Sequence, residues 1–127
     1  SGKLMSGYIF LCVDSIELRR EIVEKHLDSP YVKAVFDFRT LLESAQHYAA
    51  DWSDYKMKKD LLKSMQFSHE EAAVETPVSA CGVTLGVATT VRAVCAIGVA
   101  NFIRFSKGQG IKKFMNIDLS TFMLDAF

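Results

Sequence analysis

The segment RFSKGQGIKK, residues 104–113, brings together the side chains best suited to hold an anion. It carries four basic residues and no acidic residue, and its two glycines would let backbone amides approach a phosphate closely. The spacing matches neither a P-loop nor the glycine pattern of dinucleotide-binding folds. We therefore predict a general phospholigand or nucleic-acid site, against the alternative of a solvent-facing hairpin turn. The candidate anion-binding residues are Arg104, Lys107, Gly108, Gly110, Lys112 and Lys113.

Nucleophiles and metal ligands are scattered rather than grouped. The chain has three cysteines and three histidines, and no Cys-x-x-Cys or His-x-x-x-His spacing gathers them. We expect no metal, no cofactor and no catalytic residue, and we predict surface or edge positions for the histidines. An enzyme would need a pocket that brings a histidine to a cysteine, to Ser15 or to an acidic residue. The residues concerned are Cys12, Cys81, Cys95, His26, His47 and His69.

Composition and charge indicate a folded domain without a strong external field. Of 127 residues, 50% are apolar and 24% charged, and fifteen basic residues balance fifteen acidic ones. A neutral chain does not attract nucleic acid or anionic membrane from a distance. The odd number of cysteines favours an intracellular, cytoplasmic setting over secretion. We interpret residues 1–5 as a cloning remnant or a disordered start, and residues 6–127 as one globular domain.

The first forty residues predict a strand, a helix and a second strand. Residues 8–13 form a short apolar run, and Asp14 with Glu17 matches a capping box that would start a helix. On this interpretation Ser15 belongs to a helix start and carries no chemistry. The helix should end before Pro30, and residues 31–38 alternate as a strand does. The two strands would be parallel neighbours, or would flank a third strand.

The middle of the chain predicts helices. Thr40 with Glu43 resembles a capping box for a helix through about Ala50, and Ser53 or Asp54 would start another helix that runs to about residue 66. Ser68 with Glu71 repeats this pattern and predicts a short helix before Thr76 and Pro77.

Val78–Ile103 is an apolar segment whose single charge is Arg92. A proline at the first helical position favours a helix, whereas the many β-branched residues favour strands, and the sequence leaves both open. The segment is long enough to cross a bilayer, but a central arginine is costly there, so we expect no membrane span.

The last part of the chain predicts a hairpin and an apolar tail. Residues 101–105 and 111–119 would be its strands around the glycine turn, followed by a helical turn capped by Ser120. The apolar segment, rich in glycine and alanine, and the tail, rich in Phe and Met, together offer more apolar surface than we expect one small core to bury. The candidate interface residues are Gly82, Gly86, Gly98, Phe122, Met123 and Phe127.

These patterns together predict an α+β (or α/β) fold with a small sheet, a β-α-β start, a helical middle, an apolar central segment and a C-terminal β-hairpin. We predict a non-catalytic regulatory domain that binds a protein partner or self-associates as a homo-oligomer. The alternative is a phospholigand or nucleic-acid-binding domain that uses residues 104–113.

Overall fold

A computed structural model describes residues 4–13, 15–66 and 85–127, the last range with side chains from residue 88 onward. These residues form a five-stranded mixed sheet and three helices, which confirms the predicted α+β fold with its β-α-β start and C-terminal hairpin. In chain order the elements are β1 (Gly7–Leu11), α1 (Ile16–Lys25), β2 (Val32–Leu41), β3 (Ser44–Asp51), α2 (Tyr55–Lys63), α3 (Leu85–Ser106), β4 (Phe114–Asp118) and β5 (Met123–Ala126).

The strands lie in the sheet in the same order as in the chain. β1 is parallel to β2, with Phe10 opposite Phe36, and α1 makes the crossover between them. Because the two strands are direct neighbours, the alternative of a third strand between them is wrong. All later pairs are antiparallel, so β1 and β5 form the two edges of the sheet.

The helix α1 begins one residue later than the sequence predicts. Its N-cap is Ser15, whose hydroxyl oxygen accepts a hydrogen bond from the Leu18 amide at 3.2 Å and donates one to Glu17 at 3.1 Å. The predicted cap, Asp14, lies outside the described residues. The Ser15 hydroxyl therefore stabilises the start of α1, as expected of a capping residue.

The predicted helix over residues 40–50 is wrong, because this stretch completes β2 and forms β3. The capping-box pattern of Thr40 and Glu43 falls on the hairpin that joins the two strands. Leu42 has φ +50° there, a left-handed conformation that a helix interior does not allow. β3 is rich in alanine, which has low strand propensity, but its pairing with β2 on one side and β4 on the other overrides that preference.

The apolar segment is a helix wherever the structure describes it, and this helix continues through the predicted strand over residues 101–105. It ends in a Schellman motif: the amide of Gln109 donates to the carbonyl of Arg104 at 2.9 Å and that of Gly108 donates to Phe105 at 3.0 Å. Gly108 supplies the φ of +75° that the motif requires. The C-terminal hairpin is instead β4 with β5, and β5 replaces the predicted helical turn after Ser120.

Two further helices are predicted between β3 and the apolar segment. The helix expected after Asp54 is confirmed as α2, and the Asp54 carboxylate caps it by accepting from the Met57 amide at 3.2 Å. The short helix expected between Ser68 and Thr76 lies outside the described residues, and so does the start of the apolar segment, residues 78–84.

The sheet carries one hydrophobic core on each face. α1 and α2 cover one face, and α3 covers the other along β2 and β3. The first core contains Ile9, Leu11, Ile16, Val23, Val32, Val35, Ala50, Trp52, Leu61 and Met65. The second contains Ala34, Phe36, Phe38, Ala45, Ala49 and Val94, with Ile97, Phe102, Phe105, Ile111 and Ile117 packed against it.

Gly98 sets how closely α3 approaches the sheet. A Cβ atom at this position would lie 2.0 Å from Cε1 of Phe38 and 3.1 Å from Cε1 of His47. The Phe38 ring cannot easily move away, because it is buried and packs against Phe10 and His47. The absence of a side chain at Gly98 therefore lets the helix backbone rest on the aromatic layer.

We expect Gly98→Ala to lower the free energy of unfolding by about 1–3 kcal/mol, because overpacking outweighs the gain in helix propensity. Urea denaturation measures the change. Phe38→Leu removes the ring atoms in question, so the double variant Gly98→Ala with Phe38→Leu should lose less stability than the sum of the two single variants. An increase in stability for Gly98→Ala alone would contradict the close approach.

Candidate functional site

A buried group of three charges ties β1, β2 and the two helices of their shared face together. Both oxygens of the fully buried Asp37 accept hydrogen bonds, from Arg19 Nη1 at 2.6 Å and from Arg39 Nε at 2.7 Å. Arg19 also donates to the Phe38 carbonyl at 2.7 Å and, through Nε, to the Val13 carbonyl at 2.9 Å. A fully buried carboxylate that two guanidinium groups bind in this way is held as a structural anchor.

Two further arginine contacts extend this network to the end of α2. Arg39 donates to the carbonyl of Ser64 at 3.0 Å and to its hydroxyl at 2.8 Å, and its guanidinium lies 4.1 Å from the centre of the Tyr48 ring. Arg20 donates to the Met65 carbonyl at 3.0 Å. The C-terminal end of α2 is thus attached to α1 and β2 by charge-assisted hydrogen bonds as well as by apolar packing.

The second polar group lies under α3, around the fully buried ring of His47. Its Nδ1 lies 3.0 Å from the Asp37 carbonyl, and its Nε2 lies 3.1 Å from Nδ2 of Asn101. The Asn101 side chain is oriented by Lys112, whose amide donates to Oδ1 and whose carbonyl accepts from Nδ2, both at 2.9 Å. Since Nδ2 is a donor, Nε2 of His47 accepts and Nδ1 donates, which specifies the neutral ring.

Burial lowers the pKa of His47 below its ordinary value, and the Asp37 carbonyl only partly opposes this effect. The surroundings of the ring agree with this direction: it stacks on Phe36 at a centroid distance of 6.1 Å and packs on Phe38 at 4.8 Å. Protonation would also set two donors, on His47 and Asn101, against each other. The arrangement joins α3 to β3 and β2 and offers no exposed proton acceptor.

The predicted surface or edge positions of the histidines are wrong for both described ones. His26 is as deeply buried as His47. Its Nε2 accepts from the Met5 amide at 2.9 Å, its Nδ1 lies 2.8 Å from the Ile22 carbonyl, and its own carbonyl accepts from the Trp52 indole at 2.7 Å. His26 therefore attaches the start of the chain to α1. His69 lies outside the described residues.

The six candidate anion-binding residues are close in sequence, but the backbone of their segment is largely engaged in other contacts. The amides of Lys107 and Gly108 bond to α3 carbonyls, that of Lys112 to Asn101, and that of Lys113 to the carbonyl of Phe127 at 3.1 Å. Carbonyl groups at the C-terminal end of a helix carry partial negative charge, which opposes an anion. Arg104, Lys107, Lys112 and Lys113 are all exposed, and Gly110 has φ +91°. The anion site stays a prediction.

The candidate interface residues occupy three different places. Gly98 faces the sheet of its own chain, Gly86 lies in the first turn of α3, and Gly82 lies outside the described residues. The three tail residues are exposed and lie in or beside β5 at one edge of the sheet. They are Phe122, Met123 and Phe127.

An apolar surface at the opposite edge of the sheet was missed by the sequence analysis. Tyr8 and Phe10 of β1 point to the α3 side and contact Phe102, with ring centroids 5.0 and 5.3 Å apart. Val99 and Ile103 share an exposed face of α3, one turn apart, and this face adjoins Phe102 around the helix. We call this surface, formed by Tyr8, Phe10, Val99, Phe102 and Ile103, the β1 edge patch. The sequence signal that could have revealed this surface is the absence of charged residues from β1, which lies at an edge of the sheet.

A groove of about 440 Å³ runs along the same edge. It follows β1 from Met5 to Val13 and reaches Ile22 of α1 on the other face of the sheet. The lining residues are Met5, Ser6, Tyr8, Ile9, Phe10, Leu11, Val13 and Ile22. An apolar groove beside an unpaired strand has the shape that an added strand fills.

A second cleft, of about 550 Å³, lies at the beginning of β2. Lys33 and Asp51 give it one charge of each sign, and Tyr8, Trp52 and Phe105 contribute aromatic walls. Lys33 Nζ lies 5.9 Å from the centre of the Tyr8 ring, so this cation is already placed over an aromatic face. Ser53, which also lines the cleft, donates its hydroxyl to Asp51 Oδ1 at 2.7 Å and its amide to the same oxygen at 2.9 Å, the pattern of a turn that follows a strand.

The outward side of α3 is apolar along much of its length. The stretch Ala88–Ser106 is long and apolar enough to cross a membrane by length and composition, and only 22% of it is buried. This is weak evidence for a membrane span, since a helix that packs on a sheet passes the same test. Across the part of the chain that the structure describes, no three potential metal ligands are grouped.

Comparisons with known proteins add no functional assignment. No protein-family model matches the chain, and no curated protein matches it significantly.

The buried charge group predicts a large effect of Asp37→Asn. We expect the free energy of unfolding to fall by about 3 kcal/mol, because two guanidinium groups lose the carboxylate that neutralises them. Chemical denaturation measures this loss. The matched control is Asp125→Asn on exposed β5, which should change stability by less than about 0.5 kcal/mol. Equal effects of the two substitutions would contradict the anchoring role of Asp37.

The buried His47 predicts a pH dependence of stability. The unfolded chain takes up a proton near the ordinary pKa of 6.5, whereas the folded chain resists it, so stability should fall as the pH drops below about 6.5. The slope from this group is at most about 1.4 kcal/mol per pH unit. His47→Gln should have a flatter profile between pH 7 and pH 5. An NMR titration in which folded His47 protonates near pH 6.5 would contradict this interpretation.

Proposed function

We propose that this chain is a non-catalytic interaction module that associates with a second copy of itself through the β1 edge patch. The observation that carries the proposal is exposed apolar area at β1, which is an edge strand of the sheet in the described part of the chain. Tyr8 and Phe10 are 38% and 42% exposed, and the neighbouring Val99 and Ile103 on α3 are 41% and 43% exposed. Association would remove this area from water.

The edge itself is suited to strand pairing. Natural sheets usually protect an edge strand with a charged residue or a proline, and the stretch Gly7–Val13 has neither. Among the residues that the structure describes, no strand neighbours the outer backbone groups of β1, because β1 is the first strand of the sheet. The groove beside the strand leaves room for a partner strand to approach.

A second copy is the partner that best fits the chemistry of this edge. Because the patch is uncharged, it offers no charge to complement, and an equally apolar surface is its natural counterpart. A two-fold axis perpendicular to the sheet would set β1 antiparallel to β1 of the other copy, which is an allowed pairing. The two sheets would then join into one continuous sheet.

The opposite edge is less suited to self-pairing. β5 is exposed and apolar at Met123 and Leu124, but Asp125 lies in the middle of this short strand. A two-fold axis near the centre of β5 would bring the two Asp125 carboxylates close together, and facing like charges destabilise a strand pair. The predicted interface residues of the tail are therefore a weaker basis for a symmetric dimer than β1.

The size of the surface also requires both elements. β1 has five residues and is about 17 Å long. The surface of such a short strand is too small to supply the area of about 800 Å² per partner that a stable interface buries. α3 has 22 residues and is about 33 Å long, so its flank extends the apolar surface beyond the strand. We infer that strand pairing fixes the register and that the helix flank adds buried area.

The intracellular, cytoplasmic location remains a prediction from the cysteine count. The phospholigand alternative also stays open as a prediction, although the helix C-terminus beside residues 104–113 gives it no support.

The test is light scattering coupled to size-exclusion chromatography over a wide concentration range, in the presence of a reducing agent. We expect the unmodified chain to dimerise. Val99→Lys combined with Ile103→Lys should raise the dissociation constant at least about tenfold, because each substitution places a charge in the apolar contact.

The matched control places the same charges at the other edge, with Phe122→Lys and Leu124→Lys, which should leave the dimer intact. Circular dichroism checks that all variants are folded. A monomer at all concentrations, or a dimer broken only by the control variant, would contradict the proposal. Binding to neutral phosphatidylcholine vesicles that is lost with the α3 variant would assign the patch to lipid instead of a second copy.

A further inference from the structure

Two thiols lie where β1 and α3 adjoin. Cys12 follows β1 directly and Cys95 lies in the first half of α3, and both are free and exposed. Neither thiol belongs to the β1 edge patch. Their relative position can be followed through the ring contacts between the two elements.

The ring contacts show that α3 runs antiparallel to β1. Tyr8 contacts Phe105 and Phe102, at centroid distances of 6.3 and 5.0 Å. Phe10, two residues later in the strand, contacts Phe102 at 5.3 Å. Moving forward along β1 therefore means moving backward along α3.

One more step of two residues along the strand leads to Cys12. The step is about 7 Å and keeps the side chain on the α3 face, because side chains alternate in an extended chain. The same distance along the helix corresponds to about four or five residues, which leads from Phe102 to the level of residues 97–98. Cys95 lies less than one turn further, on the same flank as Phe102, since residues seven apart share a helix face.

The electrostatic surroundings of Cys12 agree with this proximity. Burial is the main cause that raises the pKa of Cys12, and the second cause is the nearby Cys95 thiol. Such an influence requires the two sulfur atoms to be close, because Coulomb interactions near a protein surface weaken quickly with distance.

We propose that Cys12 and Cys95 form a dithiol site that exchanges with a low-molecular-weight disulfide of the glutathione type and closes to an intramolecular disulfide. One thiolate attacks the glutathione disulfide, forms a mixed disulfide and releases one glutathione thiolate. The second cysteine, as its thiolate, then attacks the protein sulfur of the mixed disulfide and releases the second glutathione. Two protein thiols are oxidised, and one disulfide is reduced to two thiols.

The bond would fasten the edge strand to the helix that covers it. It would close a loop from residue 12 to residue 95, and long loops give the largest stabilisation by constraint of the unfolded chain. The bond requires the two Cα atoms to lie within about 7 Å, so its yield is a direct test of the geometry. This inference goes beyond the proposed self-association and does not depend on it.

The experiment uses the full chain with Cys81→Ser, which removes the third thiol, at concentrations below any association. The protein is equilibrated in mixtures of oxidised and reduced glutathione. Thiol exchange is then quenched with acid, and the free thiols are alkylated. Peptides are identified by mass spectrometry without reduction. The matched control combines Cys95→Ser with Ala96→Cys in the same background. This moves the exposed thiol by about 100° around the helix, away from β1.

We expect a peptide linked through Cys12 and Cys95 within one chain, and a rise in the unfolding temperature of about 5–10 °C that dithiothreitol reverses. The control should give only glutathione adducts. Mixed adducts at both native cysteines without a linked peptide, a link only between two chains, or equal linkage in the control would each overturn the proposal. If Cys81→Ser does not fold, peptide mapping of the unmodified chain decides between the same outcomes.

Discussion

The contact of α3 with the aromatic layer on β2 and β3 is the constraint on which the rest of this structure depends. The helix can lie flat on Phe38 and His47 because Gly98 has no side chain, and Asn101 then reaches both the His47 ring and the backbone of Lys112. This position of the helix also brings Phe102 against β1. The same contact that buries one face of α3 thus leaves its apolar flank beside an open strand edge.

The two faces of the sheet are held by different physical means. Under α3 the contacts are aromatic and neutral, and His47 is the polar centre of that layer. Under α1 and α2 a buried carboxylate neutralises Arg19 and Arg39, which also donate to the carbonyls of Val13, before α1, and of Ser64, at the end of α2. Asp37 links the two systems, since its side chain faces the arginines while its carbonyl faces His47. A substitution at this residue should therefore be felt on both faces of the sheet.

The sequence predicts those elements whose signals are local. The apolar run of β1, the alternation of β2 and the Asp54 cap of α2 each lie within a few residues, and all are confirmed. β3 was missed because an alanine-rich strand is specified by its neighbours rather than by its own propensity. The end of α3 was missed because Gly108 fits a helix C-cap as well as a hairpin turn. The β1 edge patch required the strand order and the packing of α3, which no local pattern reports.

The sheet order, which repeats the chain order, has a consequence for synthesis on the ribosome. Each new strand can pair with the strand made just before it, so the sheet can grow vectorially without any strand being inserted between two others. The α3 layer, however, is translated only after the first three strands. Until residue 106 has left the exit tunnel, Phe36 and Phe38 would face water, and the nascent chain would be a substrate for chaperones that bind exposed aromatic surface.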